Sequence, residues 1–328
     1  MQTESSSATI APPKNSKMPE ATNMAYILAV SYSGSTLLAM LLGAQPEATT
    51  VGEMRAPAIG EPDEYLCSCG EHIKKCRFWR EVGEHMAKQG IPDFDITEAR
   101  LSIHDADDAY LRRVLDPLPR GTILEAARRT ALTLSPAWTG HLRKVHHRNV
   151  ALVNALREIT GAKVVVDSSK IALHLKYLLK SPDLRIKIIR LVRDGRAVTT
   201  SMLGHGLKRA TRRESMAAAA LSWFRNNEAA ERVLADLPAS QWMHLQYEEL
   251  CRQPEATLRH IGDFLGMDTR AIVLDFRAKQ QHVLGNEMRL KSGSEIRLDE
   301  RWRTALLPDD LTVFEEVAGA MNRKYGYQ

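Results

Sequence analysis

Hydrophobic and polar positions divide the chain into alternating short apolar runs and longer stretches of helical period. Residues 26–30 form the first apolar run. They lead at once into Ser31-Tyr32-Ser33-Gly34-Ser35-Thr36 and then into Leu37-Leu38-Ala39-Met40-Leu41-Leu42. This predicts a strand, a small-residue turn and a helix over 36–44. The same grammar recurs downstream, with strands predicted over 164–166, 186–192 and 242–245. Helices are predicted over 142–160 (stopped by Gly161), 171–179, 214–234, 254–265 and 308–324. Between about 56 and 139 lies a region of helices and loops, with amphipathic stretches near 78–88 and 105–115. Strands that alternate with helices give a parallel sheet covered on both faces. The expected fold is therefore α/β: a P-loop-type parallel sheet flanked by helices, one domain over 24–328 with a helical and loop insertion at 56–139. Residues 1–23 are polar and rich in Ser and Pro, and read as a disordered tail.

The first turn carries the earliest chemistry. A strand followed by a hydroxyl-rich glycine turn and a helix points free backbone N–H groups at an anion. Gly34 allows close approach, and Ser33, Ser35 and Thr36 add hydroxyl donors. The usual triphosphate loop, G-x-x-x-x-G-K-[ST], needs a lysine, and none occurs between Tyr26 and Ala58. The turn suits a single 5′-side phosphate better than a magnesium triphosphate, although an ordinary serine-capped turn has the same pattern.

A second segment, residues 184–203, repeats strand, turn and helix around Arg193-Asp194-Gly195-Arg196. Asp194 is placed to cap the helix. Arg193 then stands at the carboxyl edge of the sheet, where open α/β sheets bind ligands. Ser201 lies two turns into the helix on a face that can return toward Arg193. An arginine fork beside a hydroxyl is a receptor for a second phosphate; an Arg193–Asp194 surface pair is the plainer alternative.

Composition narrows the class without choosing the reaction. The 328 residues are 44% hydrophobic and 26% charged, enough for a large core. The formal charge of +5 is modest, and no basic block interleaved with aromatics points to nucleic acid. No apolar run approaches the length of a membrane span and the tail has no secretory core, so no membrane anchor and a cytoplasmic location are expected. Three of the four cysteines fall at Cys67, Cys69 and Cys76. With His72 they have donors enough for zinc, but the paired C-x2-C spacing is missing. A disulfide is disfavoured without export. The expectation is a reduced hairpin near the site's mouth, with no metal.

Taken together these segments resemble the sulfotransferases that use 3′-phosphoadenosine-5′-phosphosulfate (PAPS). The resemblance runs from about Tyr26 to the C-terminus and is nearest to a bacterial branch related to tyrosylprotein and carbohydrate sulfotransferases. That branch carries SGSTLL, a downstream GE, a CxCG…C…FW segment, a DSSK, an LVRD-R-A, a GN-x-M-R and a DERW. All seven occur here in order, as Gly52-Glu53, Cys67 to Trp79, Asp167-Ser168-Ser169-Lys170, Gly285-Asn286-Glu287-Met288-Arg289 and Asp299-Glu300-Arg301-Trp302 beside the two turns above.

The resemblance implies PAPS as co-substrate with no metal required. Ser33, Gly34, Ser35 and Thr36 would hold the 5′-phosphosulfate, and Arg193 with Ser201 the 3′-phosphate. Glu53 would be the general base, since a glutamate in this Gly-Glu setting takes the acceptor's proton in tyrosylprotein sulfotransferases. The rival base is a histidine, with His104, His205 and His282 as candidates. The family usually has Lys or Arg where this chain has Tyr32, so Lys170 is expected to supply the catalytic cation, ahead of Arg55. Tyr247, Asn286, Arg289 and Arg301 would complete the nucleotide site, while Arg196 serves structure.

The acceptor, a hydroxyl or amine of a small metabolite, natural product, glycan or lipid precursor, is expected to be selected by residues 56–139 and 204–213. No motif speaks to it, or to oligomeric state. Two other readings stay open: a P-loop nucleotide kinase or hydrolase, and a nucleotide-binding relative without catalysis.

Overall fold

The computed structural model describes residues 22–55, 61–115, 122–291 and 293–328. The disordered tail expected at 1–23 falls outside these residues, apart from Thr22 and Asn23, which begin the first strand.

Five strands form one parallel sheet in the order β2-β3-β1-β4-β5. They are β1 (Thr22–Leu28), β2 (Ala48–Gly52), β3 (Val164–Asp167), β4 (Leu184–Val192) and β5 (Trp242–Gln246). Strand β1 is central, in register with β3 from Met24↔Val165 and with β4 from Thr22↔Leu184. Its alternate residues feed the cores on the two faces. Met24, Tyr26 and Leu28 pack on one side, Ala25 and Ile27 on the other. A strand buried on both faces reads as a continuous apolar run, as this one does. Strand β2 was not expected: Ala48-Thr49-Thr50-Val51-Gly52 is too short and too mixed to announce itself, yet all five residues are buried.

Nine helices of the described chain matter to the first 234 residues and the strand that follows: α1 (Ser35–Gly43), α2 (Arg77–Lys88), α3 (Ala109–Leu115), α4 (Thr122–Thr133), α5 (Pro136–Thr160), α6 (Ala172–Leu178), α7 (Gly195–Gly204), α8 (Arg212–Leu234) and α9 (Tyr247–Arg252). Then come α10 (Pro254–Leu265), α11 (Trp302–Ala305), α12 (Pro308–Phe314) and α13 (Ala320–Lys324), the last two joined by a π turn over Glu315–Gly319. Every residue of α1 is buried, the expected state of a helix that is apolar all round. Helix α5 ends at Gly161 in the left-handed conformation, as the stop signal predicts, but it starts at Pro136, earlier than residue 142. Most other elements match the apolar pattern to within a few residues, and α10 matches it end to end.

Among the described residues no helix is long and apolar enough to cross a membrane. The carboxyl ends of β1, β3 and β4 open onto one edge of the sheet, and that edge carries the site.

Candidate active site

The loop after β1 is held in an unusual backbone state. Tyr32 has φ +68° and Gly34, the N-cap of α1, has φ +87°. Gly34 has a second reason to be glycine: a Cβ there would fall 2.3 Å from Cδ2 of Tyr247, so the loop lies flat against that ring. Ser33, Ser35 and Thr36 are buried, and the Ser33 hydroxyl is enclosed without a hydrogen-bond partner. A buried hydroxyl beside a helix N-terminus, left unpaired, is an orphaned group of the kind an anion satisfies.

Arg193, 6% exposed, closes the loop from the β4 side. Its Nη1 donates to the Tyr32 carbonyl (2.9 Å), and its Nη2 to the Asp299 backbone (3.0 Å) and carboxylate (3.1 Å). The guanidinium lies over the Tyr247 ring, 4.5 Å from its centroid. The Tyr247 hydroxyl donates to the Arg297 carbonyl at 3.2 Å, and burial pushes its pKa well above the ordinary phenol value, so it stays protonated. Arg193 does not pair with Asp194. That carboxylate caps α7 through Arg196 N (2.9 Å) and binds the Arg196 guanidinium, which stacks on Trp302 at 4.2 Å. Arg196 is therefore structural, as expected, and Arg193 is left for the cleft. Ser201 lines the cleft one helix away, its hydroxyl returned to the Ala197 carbonyl at 3.0 Å.

On the opposite wall stand Glu53 and Lys170, joined by an ion pair with both side chains 14% exposed. Two devices place them. Gly52 has φ +78° and sits so close to the returning chain that a Cβ would meet the Leu284 carbonyl at 2.2 Å. The Asp167-Ser168-Ser169 turn then grips the segment after β2. Asp167 Oδ1 accepts from Ser169 N (2.8 Å), Ser169 Oγ (2.6 Å) and Met54 N (3.1 Å); Ser169 Oγ accepts from Arg55 N (3.0 Å); and Ser168 N donates to the Gly52 carbonyl (2.9 Å). Lys170 leaves this turn with φ +70°, a conformation that a non-glycine residue keeps only when its surroundings impose it. Asp167 is fully buried with Oδ2 unpartnered, and burial pushes its carboxyl up from 3.8 to about 6.

A cleft of about 810 Å³ joins the two walls. Of the residues expected from sequence, it is lined by Tyr32, Gly34, Ser35, Thr36, Glu53, Lys170, Arg193, Ser201, Tyr247, Asn286 and Arg301, as well as Arg55. Ser33, in the same loop, is buried and is not among the lining residues. Arg289 is elsewhere: it is buried, donates to the Leu66 carbonyl at 2.9 Å and to the Gly285 carbonyl, and covers Tyr65 at 4.4 Å. It secures the loop that carries Gly285 and Asn286 instead of facing the cleft. The candidate histidines separate in the same way. His205 lines the cleft with its ring 4.8 Å from Tyr32, His282 turns away toward Cys76, and His104 is not among the lining residues.

Two parts of the site lie in quoted motifs but carried no expected role. Asp299 binds Arg193 and Arg301 together, and the two guanidiniums hold its carboxyl far below the usual range, Arg301 foremost. The Asp-Ser-Ser lock had a signal, since an aspartate bonded to the amide two residues on is a common turn former. Of the two segments expected to select the acceptor, 204–213 reaches the cleft through His205. Among the described residues of 56–139 none lines the cleft, whereas Met202 and His205 at the end of α7 and Ser222 and Asn226 on α8 do.

With this geometry in place, the comparisons decide the family. A family model described as the sulfotransferase family matches residues 25–271, most of the chain and all five strands but the first residues of β1. The chain belongs to the sulfotransferase family. Solved structures agree on the fold. The sulfotransferase domain of the Synechococcus PCC 7002 olefin synthase is 17% identical, with 97% of this chain and 99% of that one covered and a TM-score of 0.53. The sulfotransferase domain from the curacin biosynthetic pathway is 14% identical, with 94% and 99% covered and a TM-score of 0.50. No curated protein matches the chain. This sulfotransferase thus has its two walls, the Ser33 loop with Arg193 and the Glu53–Lys170 pair, at the sheet edge where its family's fold opens.

Proposed function

We propose that this sulfotransferase moves a sulfuryl group from PAPS to an acceptor hydroxyl or amine, with Glu53 as the general base. The observation that carries the reading is the meeting, in one cleft, of an orphaned buried hydroxyl loop, a stacked arginine and a paired carboxylate and ammonium. The groups fit the donor. Ser33, Ser35, Thr36 and the free amides of α1 suit a 5′-phosphosulfate, and Arg193, Ser201 and Arg301 a 3′-phosphate. Tyr247, already stacked on Arg193, forms the floor between them.

PAPS supplies an activated sulfuryl group whose bond to the 5′-phosphate oxygen breaks as the bond to the acceptor forms. In-line transfer of this kind leaves positioning, charge stabilisation and proton removal to the protein. Glu53 receives the acceptor's proton. Lys170 offers its ammonium beside the same point, the role that Tyr32, uncharged, leaves open. His205 faces Tyr32 in the cleft and is the alternative base. The reading divides them: replacement of Glu53 should abolish turnover, and replacement of His205 should leave most of it.

The cleft's far end, formed by Met202, His205, Ser222 and Asn226, mixes apolar and amide groups, which favours a small, partly polar acceptor over a charged one. We propose this end of α7 and α8, with residues 204–213, as the acceptor side. Residues 24–328 act as one sulfotransferase unit.

The test is calorimetric titration with 3′-phosphoadenosine-5′-phosphate, using AMP and ATP as controls. The diphosphate should bind in the micromolar range and AMP far more weakly. Arg193→Ala should lower its affinity by about 10- to 100-fold, the worth of a charge-assisted pair. Preference for ATP, or equal binding of AMP, overturns the reading.

A further inference from the structure

The strongest unused chemistry lies behind Glu53. Cys67, Cys69, Cys76 and His282 converge until their four donor atoms lie within 4.8 Å of one another. Cys76 Sγ stands 3.3 Å and Cys67 Sγ 3.6 Å from His282 Nδ1, and Cys69 Sγ is 3.7 Å from Cys76 Sγ. These are the edges of a small tetrahedron. Around a zinc ion with bonds of about 2.3 Å to sulfur and about 2.0–2.1 Å to nitrogen, tetrahedral geometry puts sulfurs ~3.8 Å apart and sulfur and nitrogen ~3.6 Å apart.

We infer that Cys67, Cys69, Cys76 and His282 bind one structural zinc ion. Three thiolates and an imidazole are a donor set that selects zinc, and four protein ligands leave no open position for chemistry. The fourth ligand is not His72, which sequence proximity suggests: that side chain is exposed, and the chain brings in His282 from more than 200 residues away.

The surroundings are those of a thiolate site. Cys76 precedes the first turn of α2, so its sulfur sits at a positive helix end. The His282 ring is fixed by Phe78, stacked at 4.2 Å and 3°. Between the ligands, Ser68 Oγ donates to the Gln281 carbonyl and accepts from Val283 N at 2.7 Å, so the two segments are already stitched together on either side of the imidazole. Cys251, the remaining cysteine, is remote from the cluster, beside Tyr247.

The ion would clamp the 67–76 turn to the segment entering Gly285. That segment is bonded to β2 through Leu284 N and the Val51 carbonyl (2.8 Å), and Gly285 rests against Glu53. The zinc would act as a clip for one wall of the cleft, and the inference stands whatever that cleft transfers.

The experiment is metal analysis of the full-length protein, made in zinc-supplemented culture and purified without chelator under reducing conditions. About one zinc per chain should survive desalting, and a mercurial that caps thiols should release it stoichiometrically. Cys69→Ser, Cys76→Ser and His282→Ala should each retain under a tenth of it, while Cys251→Ser keeps it all. Should the variants fold poorly, cobalt exchanged into the wild-type chain should give the intense thiolate charge-transfer and tetrahedral ligand-field bands. Protein without zinc, zinc retained by the Cys76→Ser and His282→Ala chains, a different metal in stoichiometric amount, or a disulfide among Cys67, Cys69 and Cys76 in the wild-type chain as purified would each overturn the assignment.

Discussion

The two walls of the cleft are built in opposite ways. The wall proposed to hold the phosphates is local: the Ser33 loop joins β1 to α1, and Arg193 joins β4 to α7, so each half is one strand, one turn and one helix. The Glu53 wall is assembled from afar. Its carboxylate follows β2, its ammonium follows β3, and the chain that backs them returns more than 110 residues later at 281–285. Local construction makes a binding site that the fold supplies almost automatically at the sheet edge. Distant construction makes a site whose geometry depends on several couplings at once: the Asp167 lock, the Gly52 contact and the cysteine–histidine cluster. Binding should therefore survive damage that catalysis does not.

The largest effect expected from this contrast is on turnover. Glu53→Gln keeps the size of the side chain and removes the proton acceptor. It should lower kcat by about 10²- to 10⁴-fold, the usual worth of general-base catalysis. Affinity for 3′-phosphoadenosine-5′-phosphate should change less than threefold, since the phosphate wall is untouched. If binding falls as far as turnover, the two walls are not separable and the comparison breaks.

Gly34→Ala makes the reciprocal attack. The new Cβ must displace the Tyr247 ring, 2.3 Å away, and hold a left-handed backbone costing about 1–2 kcal/mol. Because Tyr247 supports Arg193, both of the proposed phosphate subsites should shift together. Nucleotide affinity measured by calorimetry should fall at least tenfold, beyond anything the Glu53 variant shows. An unchanged affinity would mean that the loop does not touch the nucleotide.

This contrast also explains what could be read from sequence. Strand, turn and helix are contiguous, so the apolar pattern placed the Ser33 loop and Arg193 at the sheet edge before any coordinates. Of the two arginines in that turn, Arg193 lines the cleft and Arg196 does not, because Asp194 caps α7 and engages Arg196. Strand β2 escaped because five buried residues with two threonines do not alternate. Arg289 misled because a basic residue in a glycine-rich loop looks the same whether it faces the cleft or, as here, the Leu66 carbonyl. His282 lies far in sequence from the cysteines, and no spacing rule reaches across that distance. Of the two segments expected to select the acceptor, the irregular 56–139 has no described residue in the cleft lining, while 204–213 contributes His205 beside Met202 of α7 and Ser222 and Asn226 of α8.

A third, more moderate effect belongs to the lock. Asp167 has its folded carboxyl raised from 3.8 to about 6, so between about pH 4 and about pH 6 the folded chain holds a proton that the unfolded chain has lost. Stability then falls as pH rises through that window and levels off above it. Asp167→Asn keeps one carbonyl oxygen for Met54 N, Ser169 N and Ser169 Oγ and carries no charge. Chemical denaturation from pH 4 to pH 7 should show this downward component in the wild type and its loss in the variant. A wild-type curve whose slope is unchanged by Asp167→Asn would remove the buried proton from the account.

The smallest effect tests whether the phosphate wall is as independent as its construction suggests. Asp299 occupies the Nη2 of Arg193 at 3.1 Å and pairs with Arg301 at 2.8 Å. A carboxylate there both holds the two guanidiniums in place and opposes an incoming phosphate. Coulomb repulsion at such distance near a surface is modest and salt-screened, and the loss of the hold works in the other direction. The repulsion should win, because Arg193 keeps its other anchors: the Tyr32 carbonyl, the Asp299 backbone carbonyl and the face of Tyr247. Asp299→Asn should therefore tighten 3′-phosphoadenosine-5′-phosphate by about two- to fivefold at low salt, an advantage that shrinks as ionic strength rises. Turnover per bound donor should stay as it was, since the Glu53 wall does not feel the change. Weaker binding in Asp299→Asn would show instead that the carboxylate is part of the receptor, orienting Arg193 and Arg301 more than it repels the phosphate.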